Sequence, residues 1–186
     1  ALTPRMKTEI ENDVKKNGIN GIQTKMDISE IDVFSVTSGP GSFTGLRIGI
    51  SSVRAFAQAM KKPVAPVNTL EALAYNFSLS DAVIVPMLDA RRDEVFTAAY
   101  KFNNGTATEI TPPCVMTISE ICEKYKDSDA IMTGDGAIIH RDELDGFKLA
   151  PLNLAETRAS SLALAAYKKA EKNELCDYNH VAPLYL

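Results

Sequence analysis

The run Gly39-Pro40-Gly41-Ser42-Phe43-Thr44-Gly45 constrains this chain more than any other stretch. Three glycines and a proline within seven residues demand tight backbone, because glycine reaches positive φ and proline fixes φ. Before it lies an apolar run, Ile31 to Val36, with the length and β-branching of a buried strand; Val33–Val36 is its predicted core. After it comes a long amphipathic stretch, predicted as a helix from Gly45 to Met60, with Ser42 and Thr44 as candidate N-caps. A strand, a glycine turn and a helix N-terminus together make a generic anion site. The stricter tests fail. No lysine followed by Ser or Thr completes a phosphate loop, and the spacing Gly39-x-Gly41-x-x-x-Gly45 is one residue too long for a dinucleotide fingerprint. A helix dipole gives an anion roughly 0.3–2 kcal/mol, whereas micromolar binding needs about 8 kcal/mol. The loop alone cannot hold a nucleotide, and a plain strand-to-helix turn stays open as the alternative.

The predicted helix carries an apolar face of Leu46, Ile50, Val53, Phe56 or Ala57, and Met60. Arg47, Ser51, Arg54 and Gln58 form a polar face, and Gly49, Ser52, Ala55 and Ala59 a third, small-residue one. Core packing and contact with a partner helix both fit that pattern. A second helix is read over Pro4–Lys16 from the spacing of Met6, Ile10 and Val14. Further on, strands are predicted at Val64–Val67, Asp81–Leu88, the segment ending at Tyr100, Ala107–Thr111 and Ala130–Thr133. Helices are predicted at Leu70–Leu79, capped by Thr69, at Ile118–Tyr125, capped by Thr117, and at Ala155–Lys172. Asn103-Asn104-Gly105 reads as a hairpin turn, and Gly134-Asp135-Gly136 as a second strand-to-turn glycine motif. Alternating strands and helices with short glycine links indicate an α/β protein.

Composition narrows the function classes. With 186 residues, 45% hydrophobic and 24% charged, the chain suits one domain or two small lobes. A net charge of −4 gives it no global electrostatic reason to bind nucleic acid by itself. No apolar run reaches membrane-spanning length, so no membrane partner is expected. Three scattered cysteines, Cys114, Cys122 and Cys176, suggest free thiols in a reducing, cytoplasmic compartment. His140 and His180 lack ligand-type neighbours at helical spacing, which argues against a metal site or a histidine triad. Asp89, Asp93 and Glu94 crowd one turn with Arg91 and Arg92, and an ionic turn at a strand end is the simplest reading. Ser38 and Ser42 sit in no Gly-x-Ser-x-Gly elbow.

Four segments in order carry a family resemblance: Thr37-Ser38-Gly39-Pro40-Gly41-Ser42-Phe43-Thr44-Gly45-Leu46-Arg47-Ile48-Gly49, Thr69-Leu70-Glu71-Ala72-Leu73-Ala74, Asp89-Ala90-Arg91-Arg92-Asp93-Glu94-Val95, and Thr133-Gly134-Asp135-Gly136-Ala137. Together they resemble the bacterial TsaB (YeaZ) family along essentially the whole chain. The resemblance implies an actin-like ATPase fold (ASKHA, RNase H-like) of two lobes. Residues 1–70 would form the first lobe and 71–186 the second, with the C-terminal segment returning to the first. The Asp-Thr-Ser phosphate loop of the family's opening strands has no counterpart here, so the first lobe lacks its first strands and an upstream segment is expected. The family belongs to the complex that places threonylcarbamoyl on the adenosine beside the anticodon of ANN-decoding tRNAs. The resemblance implies a non-catalytic, activating relative of the catalytic subunit TsaD, with no activity expected alone, paired with TsaD through first-lobe helices. The complex also recruits the ATPase TsaE, meets tRNA as a whole, and keeps its ATP and metal in the partner; no cofactor, metal or catalytic residue is expected in this chain. The His-x-x-x-His metal pair of the catalytic relative has no counterpart. The expected partner interface is Met6, Ile10, Leu46, Ile50, Val53, Arg54, Phe56 and Ala57, a surface that would also make a homodimer in isolation. Ser38, Gly39, Gly41, Ser42, Gly134, Asp135 and Gly136 are the expected nucleotide or anion contacts. The alternatives are an independent nucleotide-binding enzyme of the ATPase or kinase class and, more remotely, a glycoprotease-like peptidase.

Overall fold

A computed structural model of the chain describes residues 27–185. The chain divides into two units, Ala1–Asp32 and Val33–Leu186. The predicted helix over Pro4–Lys16, with Met6 and Ile10, lies outside the described residues. Of the first unit the structure describes a 3-10 turn, Ile28–Glu30, closed by a capping box between Asp27 and Glu30.

The second unit contains two sheets. In the first, β1 (Phe34–Gly39) pairs in parallel with β2 (Val64–Asn68), the crossover being α1 (Phe43–Met60). The Asn68 side chain then caps a short helix, α2 (Thr69–Ala74), by accepting from Leu70 N at 2.8 Å. The second sheet has five strands in the order β5-β4-β3-β6-β7. Here β3 is Val83–Arg91, β4 is Glu94–Asn103 and β5 is Thr106–Thr117, joined as antiparallel neighbours. After α3 (Ile118–Tyr125), β6 (Ala130–Thr133) returns parallel to β3. A short α4 (Asp135–Ile139) leads to β7 (Lys148–Leu149), and α5 (Ala159–Glu171) closes the second unit's regular structure.

The apolar run of β3 is continuous because both of its faces are covered. Ile84 points into a core shared with Val67, Leu70, Tyr100 and Ala165, whereas Val85 and Met87 point into another with Ile121 and Met132. The first of these cores also holds Ala65 of β2, so α2 and α5 bind the two sheets together. A third cluster, Val36, Ile50, Ala57, Val64 and Val181, lies beneath α1. The C-terminal segment completes that cluster. Val64 and Cys176 exchange backbone hydrogen bonds at 2.9 Å each, and Leu184 N donates to Ser38 O at 2.7 Å.

Several predicted boundaries move. β1 begins at Phe34 and runs on to Gly39. Asn68 rather than Thr69 caps α2, which passes at Tyr75 into a 3-10 turn instead of reaching Leu79. β5 extends to Thr117 through Pro112 and Pro113, which an edge strand tolerates because it needs fewer ladder donors. The last helix starts at Ala159, since a 3-10 turn at Leu152–Leu154 takes up the chain before it.

Candidate functional site

A cleft of about 580 Å³ opens where the glycine turn faces the end of the large sheet. Pro40 to Thr44 and Thr69 form one wall; Leu88 to Arg91, Phe96 and Asp135 form the other. Ser42 caps α1, its hydroxyl accepting from Gly45 N at 3.3 Å, while the first-turn N–H groups of an 18-residue helix lack intrahelical acceptors. Phe43 at the rim is fixed by the Arg47 guanidinium, 3.9 Å above its ring, and by stacking on Tyr185. On the opposite wall, Asp135 Oδ1 accepts from Asp89 N at 3.2 Å and from Gly136 N at 2.8 Å, stapling the end of β3 to the start of α4. Asp89 Oδ1 in turn accepts from Arg91 N at 2.8 Å. Arg91, Arg92 and Asp93 all hold positive φ, an unusual run for non-glycine residues that costs backbone energy. Thr69 Oγ1 is buried with no hydrogen-bond partner, a state that costs a hydroxyl about 1–3 kcal/mol.

Of the expected anion contacts, the structure brings Gly41, Ser42 and Asp135 to this cleft. Ser38, Gly39, Gly134 and Gly136 do not line it, which corrects that part of the expectation. The Ser38 hydroxyl donates to Val67 O at 3.2 Å, across the β1–β2 pair. Gly39 and Gly134 have φ of 126° and 106°, and a Cβ at either would run into the carbonyl oxygen of Leu184 or Met87 respectively. Gly136 packs equally close, its Cβ position lying 2.9 Å from Val95 Cγ1. These glycines permit close backbone packing; they are not ligands of the cleft. Thr69, Arg91 and Phe96 were not expected there. The ionic turn at Asp89–Glu94 was the available sequence signal for Arg91, but nothing local tells which way the hairpin leans. With two carboxylates, one guanidinium and a helix N-terminus, the cleft has polar groups for a small anion, while Asp89 and Asp135 oppose a highly charged one.

α1 is oriented by its apolar stripe. Leu46, Ile50 (4% exposed) and Ala57 face the chain's own core, and Val53 packs half-buried against the same cluster. They are therefore taken from the expected partner interface, because the core beneath β1 already covers them. Arg54 and Phe56 are on the surface, Phe56 stacking 6.2 Å from Phe34. The outward face instead presents Ile48, 63% exposed, with Ser52, Ala55 and Ala59. Among the described residues, no group of three or more His, Cys, Asp or Glu could hold a metal ion, and no helix is long and apolar enough to cross a membrane.

The two-sheet α/β arrangement is that of the actin-like (ASKHA) class. A solved structure of similar fold is YeaZ from Pseudomonas aeruginosa, with a TM-score of 0.73 and 23% identity, covering 98% of this chain and 83% of that one. The family described as "TsaD: tRNA N6-adenosine threonylcarbamoyltransferase" matches residues 22–182. The chain is 31% identical over 168 residues to the Bacillus subtilis "tRNA threonylcarbamoyladenosine biosynthesis protein TsaB", covering 86% of this chain and 70% of that protein. It is 36% identical over 73 residues to the Haemophilus influenzae protein of the same name, covering 38% of this chain and 31% of that protein. The chain belongs to the TsaB/YeaZ family.

Proposed function

We propose that this protein serves the formation of threonylcarbamoyladenosine in tRNA, as a non-catalytic subunit that pairs with and activates a TsaD-type transferase. The observation that carries the reading is the match to the Bacillus subtilis protein, which spans most of both chains. In this proposal the pairing surface is the outward face of α1, with Ile48, Ser52, Ala55 and Ala59 at its centre and Arg54 and Phe56 at its sides. Small residues there let a partner helix approach closely, and burying Ile48 would contribute roughly 1.5–3 kcal/mol. The same face would pair two copies when the partner is absent, a TsaE-type ATPase would join the assembled pair, and tRNA would be met by the complex. The proposed setting is the cytoplasm, with ATP and metal held by the partner. Ala55→Glu should leave the melting temperature unchanged and abolish co-elution with the TsaD-type subunit from the same organism. Undiminished co-elution of a folded Ala55→Glu protein would overturn the proposed surface.

A second reading, an independent nucleotide enzyme of the actin-like class, draws support from the unpartnered Thr69 hydroxyl, which lines the same cleft as Arg91 and the start of α1. Calorimetry of the isolated protein with ATP and Mg²⁺ separates the two. Weak or absent binding without turnover is expected; tight binding with turnover would favour the enzyme. A glycoprotease-like activity would need a histidine metal pair or a histidine triad, and no histidine lines the cleft.

A further inference from the structure

A second cavity, of about 330 Å³, lies between β6, α4 and the segment 149–155. Met132, Ala137, Ile138, Leu149, Pro151 and Leu152 give it apolar walls. Ile138, Leu149 and Leu152 also stand exposed at its rim, Leu152 at 72%. Apolar surface gathered around a concave site of this size is a mark of small-molecule binding. A single charged side chain lines it, the exposed Arg141, and no carboxylate does. Arg141 has no ion pair or hydrogen bond among the described residues. Of the acids that follow it, Asp142, Glu143 and Asp145, none lines the cavity, and Glu143 is engaged with His140 Nδ1 at 2.8 Å.

We propose that this cavity binds a small amphipathic carboxylate, its hydrocarbon body between Ile138, Leu149 and Leu152 and its carboxylate on the Arg141 guanidinium. A planar guanidinium matches a carboxylate in a two-point contact. One such cation neutralises one negative charge, so a singly charged head fits where the several charges of a nucleotide phosphate chain do not. The walls are held by bonded backbone: Ala150 N donates to Met132 O at 2.9 Å and the Thr133 hydroxyl to Leu154 O at 3.2 Å. The cavity is therefore in place before the ligand arrives.

The test is calorimetric titration at neutral pH with octanoate and with its neutral counterpart octanamide, on the wild-type protein, Arg141→Gln and Ile138→Trp. Both substitutions are at surface positions, and an unchanged melting temperature establishes that each variant is folded. Wild type should bind octanoate at one saturable site and octanamide at least about tenfold more weakly. Arg141→Gln should bring octanoate down to the octanamide level and leave octanamide unaltered. Ile138→Trp, which fills the mouth, should remove both. Equal octanoate affinity in wild type and Arg141→Gln, retained binding in Ile138→Trp, or no saturable binding to wild type would overturn the proposal.

Discussion

The orientation of α1 decides which residues hold the fold and which are left for a partner, and a pair of substitutions one turn-half apart tests it. Ile50 is buried against Val36, Val64 and Val181, whereas Ile48 stands 63% exposed on the opposite side of the helix. Ile50→Ala removes three carbons from a packed cluster, leaving a cavity among residues fixed by the β1–β2 pair and by the C-terminal segment. Such truncations cost about 2–5 kcal/mol. A domain of this size loses roughly 2–4 °C of melting temperature per kcal/mol, so a fall on the order of 4–20 °C is expected. Ile48→Ala removes the same atoms from a site with little to lose, and its stability should stay within about 0.5 kcal/mol of wild type. Alanine also has the better helix propensity, which works in the same direction at both sites. Urea unfolding followed by far-UV circular dichroism gives both values, and equal m-values would show that the difference lies in stability rather than in denatured-state compactness. A destabilisation by Ile48→Ala matching or exceeding that of Ile50→Ala would refute the assigned face, and with it the proposed pairing surface.

Two further outcomes follow from the same packing. Gly134→Ala should lower stability by more than about 1 kcal/mol, because it combines a positive φ with a Cβ driven against the Met87 carbonyl; a melting curve unchanged from wild type would contradict the close β6–β3 approach. Burial raises the Glu71 carboxyl above the ordinary glutamate range, with Lys169, 3.4 Å away, acting in the opposite sense. A raised folded value means that the native state keeps this proton longer than the unfolded chain, so its contribution is most favourable below the unfolded value and is lost as pH rises through the folded one. Glu71→Gln should therefore gain on wild type between about pH 4 and pH 7 in urea midpoints, with Lys169 retaining Glu174 at 3.8 Å; a relative loss over that range would show that the Lys169 pair outweighs burial.

Much of this architecture is legible in residues whose signal is local. The β1–α1–β2 crossover follows from an apolar run, a glycine turn with a Ser42 cap, and a four-residue apolar spacing ending at Lys61, whose left-handed backbone closes the helix. What failed depends on long-range neighbours. Leu46, Ile50 and Ala57 fit core and interface equally well in sequence; the packing of Val36, Val64 and Val181 on Ile50 and Ala57, with Leu46 buried as well, marks this face of α1 as core. Asn68 and Thr69 are both good cap residues, and strand register rather than propensity makes Asn68 the cap and leaves the Thr69 hydroxyl buried. In the cleft, Gly41, Ser42 and Asp135 could be picked out as candidates, but their meeting depends on how the large sheet stands against the glycine turn. Arg91 joins them through a hairpin with three left-handed residues in a row, a conformation that Arg-Arg-Asp does not advertise. The glycines at 39, 134 and 136 look like ligand loops in sequence because close approach to backbone and close approach to a phosphate need the same missing Cβ.

The most direct test of the functional account is the threonylcarbamoyladenosine content of bulk tRNA, measured by mass spectrometry of digested nucleosides in cells depleted of this protein. The account predicts that the modified nucleoside falls on depletion, returns with the wild-type chain in its full natural context, and does not return with a folded Ala55→Glu variant. An undiminished level after depletion would contradict the proposed function.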